Sequence, residues 1–166
     1  MKRFIFVAIA ALTVLSMVTH GCSRLEEKWY EGFLPESIEV ESTIFVDAAG
    51  GFTEGCGVAI YKIKSDALFQ IRKHGMTALK EARRARQHND RSYDEWQLTP
   101  YIEPSDSSLR NPWLSGMNEG CSDMPADVNR SIDHALATPG SFYATSHESG
   151  VIIIPSLGWI IFSHFG

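Results

Sequence analysis

The chain has 166 residues, with 15 basic and 20 acidic side chains, a formal charge of −5 and 44% hydrophobic residues. That length carries one domain with a core of its own, and no internal repeat or low-complexity tract appears. An acidic surface repels nucleic acid and anionic surfaces in general, so no nucleic-acid partner is expected.

The amino terminus reads Met1-Lys2-Arg3 and then the apolar run Phe4–Val18, with no acidic residue before Glu26. A charged start followed by a short apolar stretch is the pattern of a secretory signal. The run is shorter than the roughly twenty residues a membrane-spanning helix needs. It ends Thr19-His20-Gly21-Cys22, and this ending resembles the lipobox of bacterial lipoproteins, in which a small residue precedes the cysteine that is lipidated. It departs from that pattern at Thr19, where Leu is favoured, and at His20, where small residues are usual. The resemblance implies residues 1–21 as a signal peptide, cleavage before Cys22, and acyl chains on Cys22. Two or more chains hold a protein firmly at a membrane. Ser23 in the next position, rather than Asp, implies sorting to the outer membrane, facing the periplasm.

Cleavage would remove Lys2 and Arg3 and take the formal charge from −5 to −7. The chain has three cysteines, and an odd number in an exported protein leaves one to explain. Lipidation of Cys22 leaves Cys56 and Cys121 as a pair, and disulfides persist outside the cytoplasm. A bridge closing a loop of this length is worth roughly 4 kcal/mol at most. The alternative of a nucleophilic Cys56 has no supporting motif.

Residues 22–41 read as a lipidated tether and lead-in segment, and 42–166 as a single domain. Trp29, Tyr30 and Phe33 either lie among lipid headgroups or pack on the domain, and packing is the favoured reading. Ser42–Asp47 is short and β-branched, and Gly57–Lys64 partly alternates. With glycines between them they predict a hairpin. Gly50, Gly51, Gly55 and Gly57 fit no phosphate-loop spacing. Ser65 is an N-cap candidate for one long helix with Leu68, Ile71, Ala78, Leu79 and Ala82 on one face and Gly75 within the stripe. Lys80, Arg83, Arg84 and Arg86 near its end suit the helix dipole, and Arg83, Arg84 and Arg86 are candidates for binding an anionic partner.

Trp96–Ile102 predicts an edge strand because Pro100 removes a backbone donor. Glu103–Cys121 is irregular, and long irregular stretches are often functional. Trp113 and Leu114 within it are therefore candidate binding residues, with a local core plug as the competing reading. Pro125 opens a second helix with Val128, Ile132, Ala135 and Leu136 on one face, ending before Gly140. Ser141–His147, Val151–Ile154 and Leu157–Phe165 then predict a three-stranded meander around a turn at His147-Glu148-Ser149-Gly150.

The expected class is α+β: an antiparallel sheet of five to six strands, ordered β-β-α-β-α-β-β-β, with two helices on one face. No H-E-x-x-H, C-x-x-C or G-x-S-x-G occurs, so metal, cofactor and hydrolase chemistry have no motif. The contiguous His147-Glu148-Ser149 cannot focus three groups on one atom as a triad does. Asp94 and Glu95 point to opposite faces of a strand and make a poor acid–base pair. The expectation is a membrane-anchored envelope lipoprotein that binds another envelope protein without catalysis. The alternative is an enzyme or glycan-binding module acting on peptidoglycan or lipopolysaccharide.

Overall fold

The computed structural model describes residues 24–50, 55–88, 90–103, 112–118 and 120–166. The expected signal peptide, Cys22 and residues 104–111 of the irregular stretch lie outside them. The chain is helical over residues 24–31 (α1). Next come strands β1 (Val40–Gly50) and β2 (Gly55–Ile63), then helices α2 (Ser65–His74) and α3 (Met76–Leu79). A two-residue strand β3 (Gln97–Leu98) and a 3-10 turn (Pro112–Met117) precede α4 (Ala126–Ala137). Strands β4 (Phe142–Ser146), β5 (Ser149–Ile154) and β6 (Trp159–Phe165) complete the domain. The class is α+β, as the sequence predicts.

The strands form one six-stranded sheet in the order β1-β2-β6-β5-β4-β3, with every neighbouring pair antiparallel. The expected hairpin and meander are both present. β6 pairs with both β2 and β5, so the strand latest in the sequence lies in the interior of the sheet. β3 stops just before Pro100 at one edge, where a residue without a backbone donor does no harm.

Contrary to expectation, the helices cover both faces. Alternation along β2 sends Ala59, Tyr61 and Ile63 into a cluster with Ile71 of α2. Val58 and Ile60 join a second cluster with Ile132 and Ala135 of α4. The cause is the composition of the interior strands. β5 is buried at every position, and a continuously apolar strand needs cover on each side.

The helix expected to run from Ser65 past Lys80 is broken at Gly75. There φ is +55° and ψ −130°, a conformation open to glycine and strained for other residues. Ile71, Leu79, Ala82 and Ala85 are all buried, so the apolar pattern is retained while the backbone turns, although Ala78 stays exposed. Lys64 occupies the N-cap position and Ser65 is the first helical residue, without a side-chain cap.

The domain also begins earlier than residue 42. Tyr30, Phe33, Leu34 and Ile38 are buried in the first cluster. Phe33 stacks on Phe162 with centroids 4.8 Å apart and on His88 at 3.8 Å, so these aromatic residues pack on the sheet.

Candidate interaction site

The residues singled out from the sequence do not converge on one surface. Trp113 is fully buried and Leu114 half-buried in the second cluster, so the expected aromatic docking loop is core. The carbonyl of Trp113 accepts a hydrogen bond from the Ser163 hydroxyl at 2.6 Å. Tyr101 meets its ring edge-on at 5.8 Å. The 3-10 turn lies close on the sheet because the floor is small: a side chain on Gly116 would strike the Gly57 carbonyl and the Ser163 hydroxyl.

Of the three arginines, Arg83 and Arg84 are exposed and Arg86 is half-buried. Arg86 donates to Glu31 at 2.6 Å and to the Ile38 carbonyl, joining α1 to the chain after it. Arg83 donates through Nε to the Tyr93 carbonyl at 2.9 Å. Arg84 is exposed, and its carbonyl accepts from the Glu36 amide at 2.9 Å. Arg86 is thus bound through both terminal nitrogens, while Arg83 is held at Nε alone.

Cys56 and Cys121 are bonded, with sulfurs 1.99 Å and Cα atoms 5.3 Å apart. The bridge fastens the start of β2 to the chain that follows the 3-10 turn. His147 and Glu148 pair on the surface at 3.5 Å, whereas Ser149 is buried and accepts from Arg91 at 3.0 Å. Those three residues therefore share no focus. Asp94 is tied to Thr145 at 3.0 Å.

His164 contacts the Tyr30 hydroxyl through Nε2 at 3.0 Å. Burial, aided by Arg91, holds its pKa below the ordinary 6.5, which favours the neutral imidazole. His88, stacked on Phe33, is lowered for the same two reasons. The Tyr30 phenol is pushed well above its ordinary range, first by burial and then by Glu26 and Asp47. These groups fill the interface between α1 and the sheet.

A different surface, formed by α1 and β1, is open. Their junction holds a cleft of 330 Å³ lined by Glu27, Lys28, Glu31, Glu41, Ser42, Thr43, Val40 and Tyr61. Tyr61 donates to the Glu27 carbonyl at 2.7 Å, and Thr43 donates to the Glu27 carboxylate at 3.2 Å. Glu31 is paired with Lys28 at 3.4 Å and with Arg86, and Glu41 with Lys62 at 3.0 Å. The result is a polar recess of both signs rather than a concentrated anionic site. Glu27 and Glu31 are four apart, a spacing that places them on one helical face, and that signal was available in the sequence.

Beside the recess runs the outer edge of β1. Among the described residues β1 pairs only with β2. Its first half is irregular, with register shifts between Val40 and Ser42 and between Thr43 and Phe45. Its second half is regular from Phe45↔Ile60 to Gly50↔Gly55. Natural edges are guarded by bulges, charges or proline. The stretch Phe45-Val46-Asp47-Ala48-Ala49-Gly50 has no bulge, no proline and a single charge. No family model, curated protein or solved structure matches the chain.

Proposed function

We propose that the protein is a lipid-anchored envelope lipoprotein that binds an extended segment of another protein along the β1 edge. The observation that carries this reading is the regular, nearly uncharged stretch Phe45–Gly50 at the rim of the sheet. An added strand gains main-chain hydrogen bonds there, and pockets for alternate side chains supply selectivity. The recess at Glu27, Glu41 and Thr43, beside the first half of β1, is a candidate for such a pocket where the segment runs on past Phe45. The acidic balance of the chain disfavours a strongly acidic partner. The anchor is the one implied by the lipobox resemblance at Cys22.

The test places a photo-crosslinking amino acid at Ala48 in the full-length protein in cells, with a control at Asp133 on α4. Adducts specific to position 48 are mapped to peptide, and amide exchange is measured on the purified complex. The expected result is one partner joined through an extended segment, with exchange slowed across 45–50. Equal crosslinking from position 133, or unchanged exchange in β1, would remove the edge-binding reading. Muropeptide release by the purified protein would favour the alternative in which peptidoglycan is the substrate.

A further inference from the structure

The strands define two ends of the sheet. One end carries Val40, Ile63, Trp159 and Ile154, set side by side by the register. The other carries Gly50, Gly55, Phe165 and Ser149. α1 runs between them. Glu27 is tied to Tyr61 and Thr43, near the first end. Three residues later Tyr30 reaches His164, near the second. The start of α1 therefore lies at the first end, with Leu25 about 3 Å beyond Glu27 along the helix axis.

Three of the large apolar side chains that reach solvent lie at that end, while Phe165 at the other end is 41% exposed. Leu25 is 73% exposed, Phe69 59% and Leu157 42%. Leu157 sits in the turn between β5 and β6. α2 is laid over this turn: Arg72 donates to the Pro155 carbonyl at 2.9 Å, and Leu68 packs near Gly158. Phe69 is on the outer side of α2, with Lys73 Nζ 5.8 Å from its ring centre. Lys62 and Lys64 at the same end are paired with Glu41 and Glu39 at 3.0 and 2.7 Å. At the opposite end Asp47 accepts from the Asp123 amide at 2.7 Å, Arg91 donates to Ser149, and Glu148 sits in the β4–β5 turn.

We infer that the end bearing Leu25, Phe69 and Leu157 rests on the lipid surface, seated among the headgroups. This rests on the lipoprotein reading of Cys22. Only Ser23 lies between that cysteine and Arg24, and the two steps from Cys22 to Arg24 span at most about 7 Å when fully extended. A folded helix begins there, so the acylated residue cannot hold the domain away from the bilayer. Exposed apolar side chains, an aromatic ring and lysine stems that can carry their amines to water suit such an interface.

The test uses full-length protein, processed in cells and reconstituted into vesicles of phosphatidylethanolamine with a minority of phosphatidylglycerol. Single cysteines are introduced as Leu25→Cys, Phe69→Cys and Leu157→Cys, with Ser146→Cys as the far-end control. Each is labelled with a polarity-sensitive nitrobenzoxadiazole probe. With Cys22 acylated and Cys56 bridged to Cys121, the added thiol is the reactive one. The first three probes are expected to shift to the blue on reconstitution and to be quenched by doxyl-labelled lipid, while the control stays at its aqueous emission. Intact mass separates the two levels of the argument. An acylated protein whose four probes all report water overturns the lipid contact alone. A mass without acyl chains overturns both the anchor and the contact.

Discussion

The indole of Trp113 occupies the space that a side chain on Gly150 would need. A Cβ built on Gly150 would lie 2.5 Å from the ring. This contact joins a 3-10 turn to a strand distant in sequence, and it explains how a tryptophan in a polar, irregular stretch is fully buried. Gly150→Ala is expected to cost about 1–3 kcal/mol through overpacking, and Trp113→Ala about 3–5 kcal/mol through the cavity left behind. In the Trp113→Ala background the alanine at 150 has room, so its penalty should vanish or reverse. A denaturant double-mutant cycle reads this directly, and strictly additive costs would show that the two residues do not share one space.

The disulfide holds the segment after the 3-10 turn against the first residues of β2. Reduction, or Cys121→Ala, is expected to lower stability by up to about 4 kcal/mol. Urea unfolding with and without reductant measures the loss. Amide exchange should rise first in residues 112–121, because the bridge closes that segment onto the sheet. Thiol titration of the denatured mature protein should find no free thiol before reduction.

Acid should destabilise the domain in a window set by two half-buried imidazoles. His164 and His88 both have folded pKa values held below the ordinary 6.5. The unfolded chain therefore takes up protons near that pH before the folded one does. Stability is fully present above about pH 6.5 and falls as the pH drops below it, until the folded values are reached. Thermal melts between pH 7.5 and 5 should show this fall. His164→Phe should flatten the profile while lowering stability at neutral pH, since it leaves the buried Tyr30 hydroxyl without its contact. An unchanged slope would rule His164 out as a source.

The arginines should separate into structural and surface types. Arg86→Met leaves the Glu31 carboxylate and the Ile38 carbonyl short of a donor. The expected cost is about 1–3 kcal/mol. Arg84→Ala should stay within about 0.5 kcal/mol of the parent, as exposed positions usually do. Chemical denaturation of both variants checks the contrast, and equal effects would contradict it.

Local patterns carried much of the architecture. The glycine-separated pair of short strands, the apolar stripe of α4 and the runs Val151–Ile154 and Leu157–Phe165 each depend on residues close in sequence. Pro100 marked an edge for the same reason. The errors arose where distant residues decide. Helical spacing continues through Gly75 even though the backbone turns there. Arg86 looks like part of a charged tail until Glu31 is found beside it. Trp113 looks available until Gly150 supplies its seat. The two-sided burial of β5 was written in its unbroken apolar run, but the run did not say which helix would cover which face. The recess at α1 and β1 was missed because residues 22–41 read as a tether, while Tyr30, Phe33 and Leu34 belong to the core.

The place of β6 has a consequence for how the molecule is made. It bridges β2 and β5, so the two hairpins on either side cannot join until residues 159–165 are available. A chain emerging amino end first, whether from a ribosome or through an export channel, holds only disconnected pieces of its sheet for most of the journey. Closing the sheet requires contacts between segments far apart in sequence, the slow kind. A polypeptide arranged this way can complete its sheet only after residues 159–165 have been added.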